Sequence, residues 1–136
     1  MANTLTISCE KANLPKIREF VSHALLNTVL SEVETHKVVL AVDEVCANLI
    51  IHANKCDPSH FLDMEIKVLP KKKVTFIIKD KGISFDFSQY QEPSMDEIVH
   101  TRRKGGLGLI LVRRIMDDIE FTTEKNYNIC RLVKNL

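Results

Sequence analysis

Residues 62–78 have the sequence LDMEIKVLPKKKVTFII, and this stretch decides the class of the fold. Apolar and polar residues alternate on both sides of a short turn made by Pro70 and three lysines. The apolar positions are Leu62, Met64, Ile66, Val68, Val74, Phe76 and Ile78. A period of two is typical of half-buried strands, and two such runs around a tight turn form a β-hairpin. The stretch therefore predicts a pair of antiparallel strands in the middle of the chain.

Two amphipathic helices are predicted before the hairpin. Asn13 can cap the first helix and Pro15 suits its first turn, and its apolar spacing continues to near Leu30. The second helix begins near Thr35 and ends at Asn54. Its main apolar stripe consists of Val38, Val42, Val45 and Leu49. One apolar stripe on each helix predicts that each is buried on one side only.

The remaining segments complete the order β-α-α-β-β-loop-α-β-β. Residues 4–9 alternate as a strand does, residues 107–115 return to helical spacing, and residues 117–133 predict two strands around a turn. Residues 84–104 show no sustained period and predict a long loop, which in a compact domain is usually functional. Because the strands come in runs, the order favours an α+β fold over a doubly wound sheet.

Length and composition indicate a single domain that covers residues 1–136, with 45% hydrophobic and 27% charged residues. The chain has 19 basic and 18 acidic residues, so its formal charge of +1 provides no global field for direct binding of nucleic acid. The four cysteines are scattered, which argues against a zinc site or a disulfide framework. No apolar stretch predicts a membrane span or a signal peptide. We therefore expect a cytoplasmic protein with no membrane association.

The four glycines occur in two places where the backbone geometry matters. Gly82 follows Asp80 at the end of a buried strand, whereas Gly105, Gly106 and Gly108 open a helix after a basic stretch. Glycines at a helix start expose free N–H groups, and the positive end of the helix dipole favours phosphate. A flexible hinge before the helix explains this cluster equally well, so the glycines alone leave both readings open.

Two familiar phosphate-binding motifs do not fit these glycines. A Walker loop needs Lys and then Ser or Thr after its last glycine, where this chain has Leu109 and Ile110. A Rossmann fingerprint needs a strand directly before the glycines, but residues 100–104 are polar and basic. If these glycines bind phosphate, they therefore do so through a motif other than these two.

The second helix carries Glu44, Asn48 and His52 at intervals of four residues, which predicts one polar stripe in an apolar setting. A carboxylate and an amide oxygen suit Mg²⁺, which keeps waters and phosphates in its other positions. The carboxylate could instead act as a base. A structural alternative is that Glu44 and Asn48 line a solvated edge and that His52 caps the last turn. Asp43, directly beside Glu44, adds to the ambiguity.

Three motifs occur in an order that resembles the gyrase, histidine kinase and MutL ATPase superfamily: Glu44-x-x-x-Asn48-x-x-x-His52, Asp80-x-Gly82 and Gly105-Gly106-Leu107-Gly108. Within it, the sequence resembles stand-alone anti-sigma-factor serine/threonine kinases of the RsbW type, and the likeness covers nearly the whole chain. Asn54 is a departure, because many relatives have an aromatic residue there. The resemblance implies a Bergerat-type ATP-binding sandwich, with a mixed, mostly antiparallel sheet and three helices on one face.

The resemblance also implies roles for individual residues. Glu44 would be the catalytic residue that orients or deprotonates the attacking hydroxyl, and Asn48 would hold Mg²⁺. Asp80 would accept a hydrogen bond from the adenine amino group, and Gly82 would let the base approach the backbone. The loop of residues 84–104 would form a lid over ATP. The further nucleotide-binding residues implied are His52, Arg102, Arg103, Lys104, Gly105, Gly106, Leu107 and Gly108.

The function implied is ATP- and Mg²⁺-dependent phosphorylation of a serine or threonine on an anti-sigma-factor antagonist. It is coupled to reversible sequestration of a sigma factor, and a homodimer is expected. Two alternatives stay open from the sequence. The domain could be a nucleotide-gated binding module without phosphotransfer, or a regulatory ATPase domain of another signalling pathway.

Overall fold

A computed structural model describes residues 2–81 and 104–136 of the chain, and on these residues the predicted order of strands and helices is confirmed. The predicted loop and lid, together with Gly82, Arg102 and Arg103, lie outside the described residues. None of the helices in the described part is long and apolar enough to cross a membrane. The elements are β1 (Ala2–Ser8), α1 (Leu14–Leu25), α2 (Glu32–Asn48), β2 (Phe61–Leu69), β3 (Lys73–Asp80), α3 (Lys104–Ile115), β4 (Asp118–Glu124) and β5 (Tyr127–Asn135).

The five described strands form one sheet in the order β1-β2-β3-β5-β4. All four pairings are antiparallel, and the predicted α+β class is confirmed. The central hairpin is confirmed in its register, which pairs Val68 with Val74 and Met64 with Ile78. Lys71 takes a positive φ of 63° where the chain reverses direction. β1 lies at one edge of the sheet.

The hydrophobic core lies between one face of the sheet and the three helices. Alternate residues of β2 are buried, and across the register Ile66 lies beside the fully buried Phe76 of β3. The helices meet this face through Val21 of α1, Val42 of α2 and Val112 of α3, all in the same core cluster. The alternation that predicts the strands therefore also decides which face of the sheet the helices cover.

Asn13 occupies the N-cap position of α1, as predicted, but its side chain makes no capping hydrogen bond because it bonds backward along the chain. Asn13 closes a short 3₁₀ turn, Lys11–Asn13, and its Nδ2 donates to the carbonyl oxygen and the Oγ of Ser8, both at 2.9 Å. Its amide therefore ties α1 to the end of β1. The helix also ends at Leu25 rather than near Leu30.

The second helix begins before the predicted Thr35 because the side chain of Ser31 caps its start. Ser31 has an extended backbone, and its Oγ accepts a hydrogen bond of 3.1 Å from the amide of Glu34. The Glu34 carboxylate in turn accepts from the Ser31 hydroxyl at 3.1 Å. This local bonding satisfies a donor that the first helical turn leaves free, and the helix starts at Glu32.

Candidate functional site

Asp80 is a buried carboxylate at the end of β3, with only 2% of its surface exposed. Its Oδ1 accepts hydrogen bonds from Nδ2 of Asn54 and Nδ2 of Asn128, each at 3.3 Å. Asn128 is the β5 residue that pairs with Asp80 in the sheet register. A buried carboxylate is costly unless it is hydrogen-bonded, and these two amides come from the neighbouring strand β5 and from the chain that follows α2. The fold therefore holds Asp80 as a fixed hydrogen-bond acceptor.

A π-helical turn, Leu49–Ala53, continues α2 and brings Asn54 to this carboxylate. The amide of Asn54 donates to the carbonyl of Leu49 at 2.9 Å, and the Asn54 side-chain amide donates to the same carbonyl, also at 2.9 Å. π-Helical turns are rare in proteins, and those that occur are often found at functional sites. Neither the turn nor the role of Asn54 is predicted by the sequence, where the apolar spacing continues as if the helix were regular.

Glu44 lies one turn before Asn48 on the regular part of α2, so the two side chains share a face. Partial burial, followed by the nearby charge of Asp43, raises the pKa of the Glu44 carboxyl above its ordinary value. Asp43 itself is paired with Arg18 at 3.1 Å. Glu44 is thus a half-buried carboxylate that is predisposed to take up a proton, as a general base requires.

Asn48 has a buried amide nitrogen that finds no hydrogen-bond partner among the described residues. Because this nitrogen is a hydrogen-bond donor, its lack of a partner indicates that an acceptor, such as a phosphate oxygen, completes the site. Glu44 and Asn48 together offer carboxylate and amide oxygens, the ligand type that Mg²⁺ takes while it keeps waters and substrate phosphates. No group of three or more metal-ligating side chains occurs within residues 2–81 and 104–136. This donor set would suit a cation held mainly by the phosphates of a nucleotide, with the amide oxygen of Asn48 as its protein ligand.

His52, the third residue of the predicted polar stripe, lies beyond the regular part of α2. The α-helical repeat ends at Asn48, and His52 lies exposed within the wider π-helical turn. Contact of His52 with a nucleotide stays a prediction.

The predicted phosphate cradle lies at the start of α3, which begins at Lys104 and includes Gly105, Gly106, Leu107 and Gly108. The predicted helix is confirmed. Its buried side chains include Ile110 and Val112. The roles of the glycines and of Lys104 toward phosphate stay predictions.

A second cluster of polar side chains, centred on His60, contacts Asn54. Nδ1 of His60 is 3.1 Å from Oδ1 of Asn54, and its Nε2 is 3.6 Å from Oδ2 of Asp57. Hydrogen bonds from the hydroxyl and then from the backbone amide of Ser59 lower the pKa of the Asp57 carboxyl. No pattern in the sequence predicts this group, and Asn54 is its one member that the comparison with the family motif singles out.

A family model described as the histidine kinase-like ATPase domain matches residues 7–134 of the chain. Among curated proteins, the serine-protein kinase RsbW of Bacillus pumilus is 35% identical over 97 residues, which cover 68% of this chain and 59% of the relative. The serine-protein kinase RsbW of Bacillus subtilis is 34% identical over 90 residues, covering 63% of this chain and 56% of the relative. The chain therefore spans less than two thirds of the length of these relatives.

Two solved structures share the architecture. The RsbU and RsbW domains of a Mycobacterium tuberculosis protein superpose with a TM-score of 0.65 at 10% identity, covering 98% of this chain and 32% of that one. The histidine kinase domain of a blue-light activated kinase from Erythrobacter litoralis gives a TM-score of 0.60 at 16% identity, covering 92% and 60% respectively. At these identities the likeness shows the fold.

Proposed function

The chain belongs to the histidine kinase-like ATPase domain family, and from this premise we propose that it is an ATP- and Mg²⁺-dependent protein serine/threonine kinase. Its proposed substrate is a serine or threonine of an anti-sigma-factor antagonist, and its second proposed partner is a sigma factor that it sequesters. The serine-protein kinase names of the matched relatives support the activity. The two partners, the homodimer and the cytoplasmic location follow from the resemblance in the sequence motifs.

The observation that carries the proposal is the hydrogen bond between Asn54 and Asp80. This bond joins the π-helical turn that follows α2 to the end of β3. The helix that carries Glu44 and Asn48 therefore adjoins the strand that ends in Asp80. This neighbourhood supports the proposal that two motifs well separated in the sequence serve one site, as a nucleotide with a base at one end and phosphates at the other requires.

The proposed base site depends on Asp80. A carboxylate fixed by two amide donors can accept a further hydrogen bond from the exocyclic amino group of adenine. Guanine has an acceptor oxygen at the corresponding position, so the carboxylate would repel it. Gly82 is proposed to let the base lie close to the backbone.

The proposed transfer site depends on Glu44 and Asn48. Glu44 would orient the attacking hydroxyl and take its proton, a role that its raised pKa supports. Asn48 would hold Mg²⁺, and the bound cation would neutralise part of the charge on the phosphates. Phosphoryl transfer needs positioning and charge neutralisation more than covalent chemistry, so a site of one carboxylate, one amide and a phosphate cradle suffices.

The proposed phosphate cradle is the start of α3 at Gly105, Gly106 and Gly108. These glycines lie in the first described turns of α3, and a helix N-terminus presents free N–H groups and a positive dipole end to phosphate. Arg102, Arg103 and Lys104 are proposed to add positive charge near the phosphates.

Incubation with ATP radiolabelled on the γ-phosphate and with candidate antagonist domains tests the proposal. We expect label on a serine or threonine of one such domain, and no label when Glu44→Gln protein is used. ATP binding without transfer to any of these domains would contradict the kinase and would favour a nucleotide-gated binding module.

A further inference from the structure

We propose that Asn54 is a positioning residue for base recognition, because its amide holds the carboxylate of Asp80 in the orientation that adenine requires. This inference rests on the proposed function, in which Asp80 is the adenine acceptor. Asn54 would not touch the nucleotide, and its effect would pass through Asp80.

The side chain of Asn54 is fully engaged and only 2% exposed. Nδ2 has two hydrogens and two acceptors, the carbonyl of Leu49 at 2.9 Å and Oδ1 of Asp80 at 3.3 Å. Oδ1 of Asn54 lies 3.1 Å from Nδ1 of His60, which can donate to it. A flipped amide would place its oxygen against two acceptors, so these partners fix a single orientation.

Asn54 also connects two parts of the site that the sheet alone does not connect. Asn128 holds Asp80 from β5, the neighbouring strand. Asn54 holds the same oxygen from the end of the helix on which Glu44 and Asn48 lie. Its bonds to Leu49 close the π-helical turn, so one residue both ends that turn and anchors Asp80.

A purely structural Asn54 and a positioning Asn54 differ in one measurable quantity. A residue that only closes the turn affects stability and weakens all nucleotides alike. A residue that orients Asp80 affects the preference for a nucleotide that has the 6-amino group. Purine riboside triphosphate lacks that group but otherwise matches ATP, so the ratio of the two affinities reports on Asp80 alone.

The test is calorimetric titration of ATP and of purine riboside triphosphate into the full chain, with thermal unfolding of each variant as a check of folding. Wild-type protein should prefer ATP on the order of tenfold, because a hydrogen bond to a charged group is at stake. Asn54→Leu should lose most of that preference. Asn13→Leu is the matched control, since Asn13 also donates to a backbone carbonyl at 2.9 Å, and it should keep the preference.

Two further variants make the test decisive. Asn54→Ser keeps a hydroxyl near Leu49 but is too short to reach Asp80, so it should lose the preference even if Asn54→Leu does not fold. In an Asp80→Asn background, a change at Asn54 should leave the ratio unchanged. A folded Asn54→Ser protein with the wild-type preference would overturn the positioning role alone. A wild-type protein that binds neither nucleotide, or both equally, would overturn the adenine site as well.

Discussion

Asn54 and Asp80 lie 26 positions apart in the sequence, and Nδ2 of Asn54 donates to Oδ1 of Asp80 at 3.3 Å. The bond joins a helix end to a strand end. Because Asn128 donates to the same oxygen from β5, three elements meet at this carboxylate. The proposed base site is thus a product of the tertiary fold.

Glu44→Gln separates nucleotide binding from transfer. Glutamine keeps the shape of the side chain but cannot take a proton, so ATP affinity should persist while the transfer rate falls on the order of 10²-fold or more. The rate is measured with radiolabelled ATP and an antagonist domain. Glu19→Gln, on an exposed position of α1, is the control and should keep the wild-type rate. If the Glu44→Gln protein transferred phosphate at the wild-type rate, Glu44 would have no catalytic role and would only line the surface of the helix.

The ionised carboxylate of Glu44 should also lower the free energy of unfolding of the protein at neutral pH. Burial raises the pKa of its carboxyl in the folded state above the ordinary value of 4.5, so the folded chain binds more protons than the unfolded chain above that pH. Stability linked to Glu44 therefore falls as the pH rises through the raised pKa. Thermal unfolding should show Glu44→Gln to be more stable than wild type at pH 7, with little difference near pH 4. A less stable variant at pH 7 would contradict the assigned burial effect.

Asn48→Ala should remove the Mg²⁺-dependent part of ATP binding. The alanine variant lacks the amide oxygen that is proposed to hold the cation, whereas the base contact at Asp80 is intact. Titrations of ATP with Mg²⁺ and with EDTA measure the difference. Asn3→Ala on the edge strand β1 serves as the control and should retain the full Mg²⁺ effect. An Asn48→Ala protein that still responds to Mg²⁺ like wild type would exclude Asn48 as the ligand.

The chain should form a homodimer. β1 lies at a sheet edge, and an edge strand with alternating apolar residues tends to pair unless it is covered. A second copy would cover it. Sedimentation at tens of micromolar should give a dimer, and a monomer under these conditions would be incompatible with the prediction.

The parts of the fold that follow from local periodicity could be predicted from the sequence. The hairpin of residues 62–78 is specified by its alternation, because a shift of one residue would turn Ile66 and Phe76 away from the core. The pairing of Glu44 with Asn48 on one helix face follows in the same way from the spacing of four residues.

The parts that depend on contacts between distant segments could not be predicted. Nothing in the apolar spacing distinguishes a π-helical turn from one more α-helical turn, so the turn at Leu49–Ala53 could not be predicted. Asparagine is a residue type that often caps helices, but the side-chain amide of Asn13 bonds to Ser8 because β1 ends beside it. The group around His60 forms only when the chain after α2 folds back toward Asp80.

ATP affinity of the Asp80→Asn protein tests the central claim, that Asp80 is the adenine acceptor, most directly. The substitution preserves shape but removes the charge from the acceptor, so calorimetry should show binding weakened by about 1 to 3 kcal/mol. Asp63→Asn is the matched control, because Asp63 lies in the same sheet and accepts a 2.8 Å bond from Thr6 on the strand pair β1–β2. Its ATP affinity should equal that of wild type. Unchanged affinity in Asp80→Asn would contradict the claim.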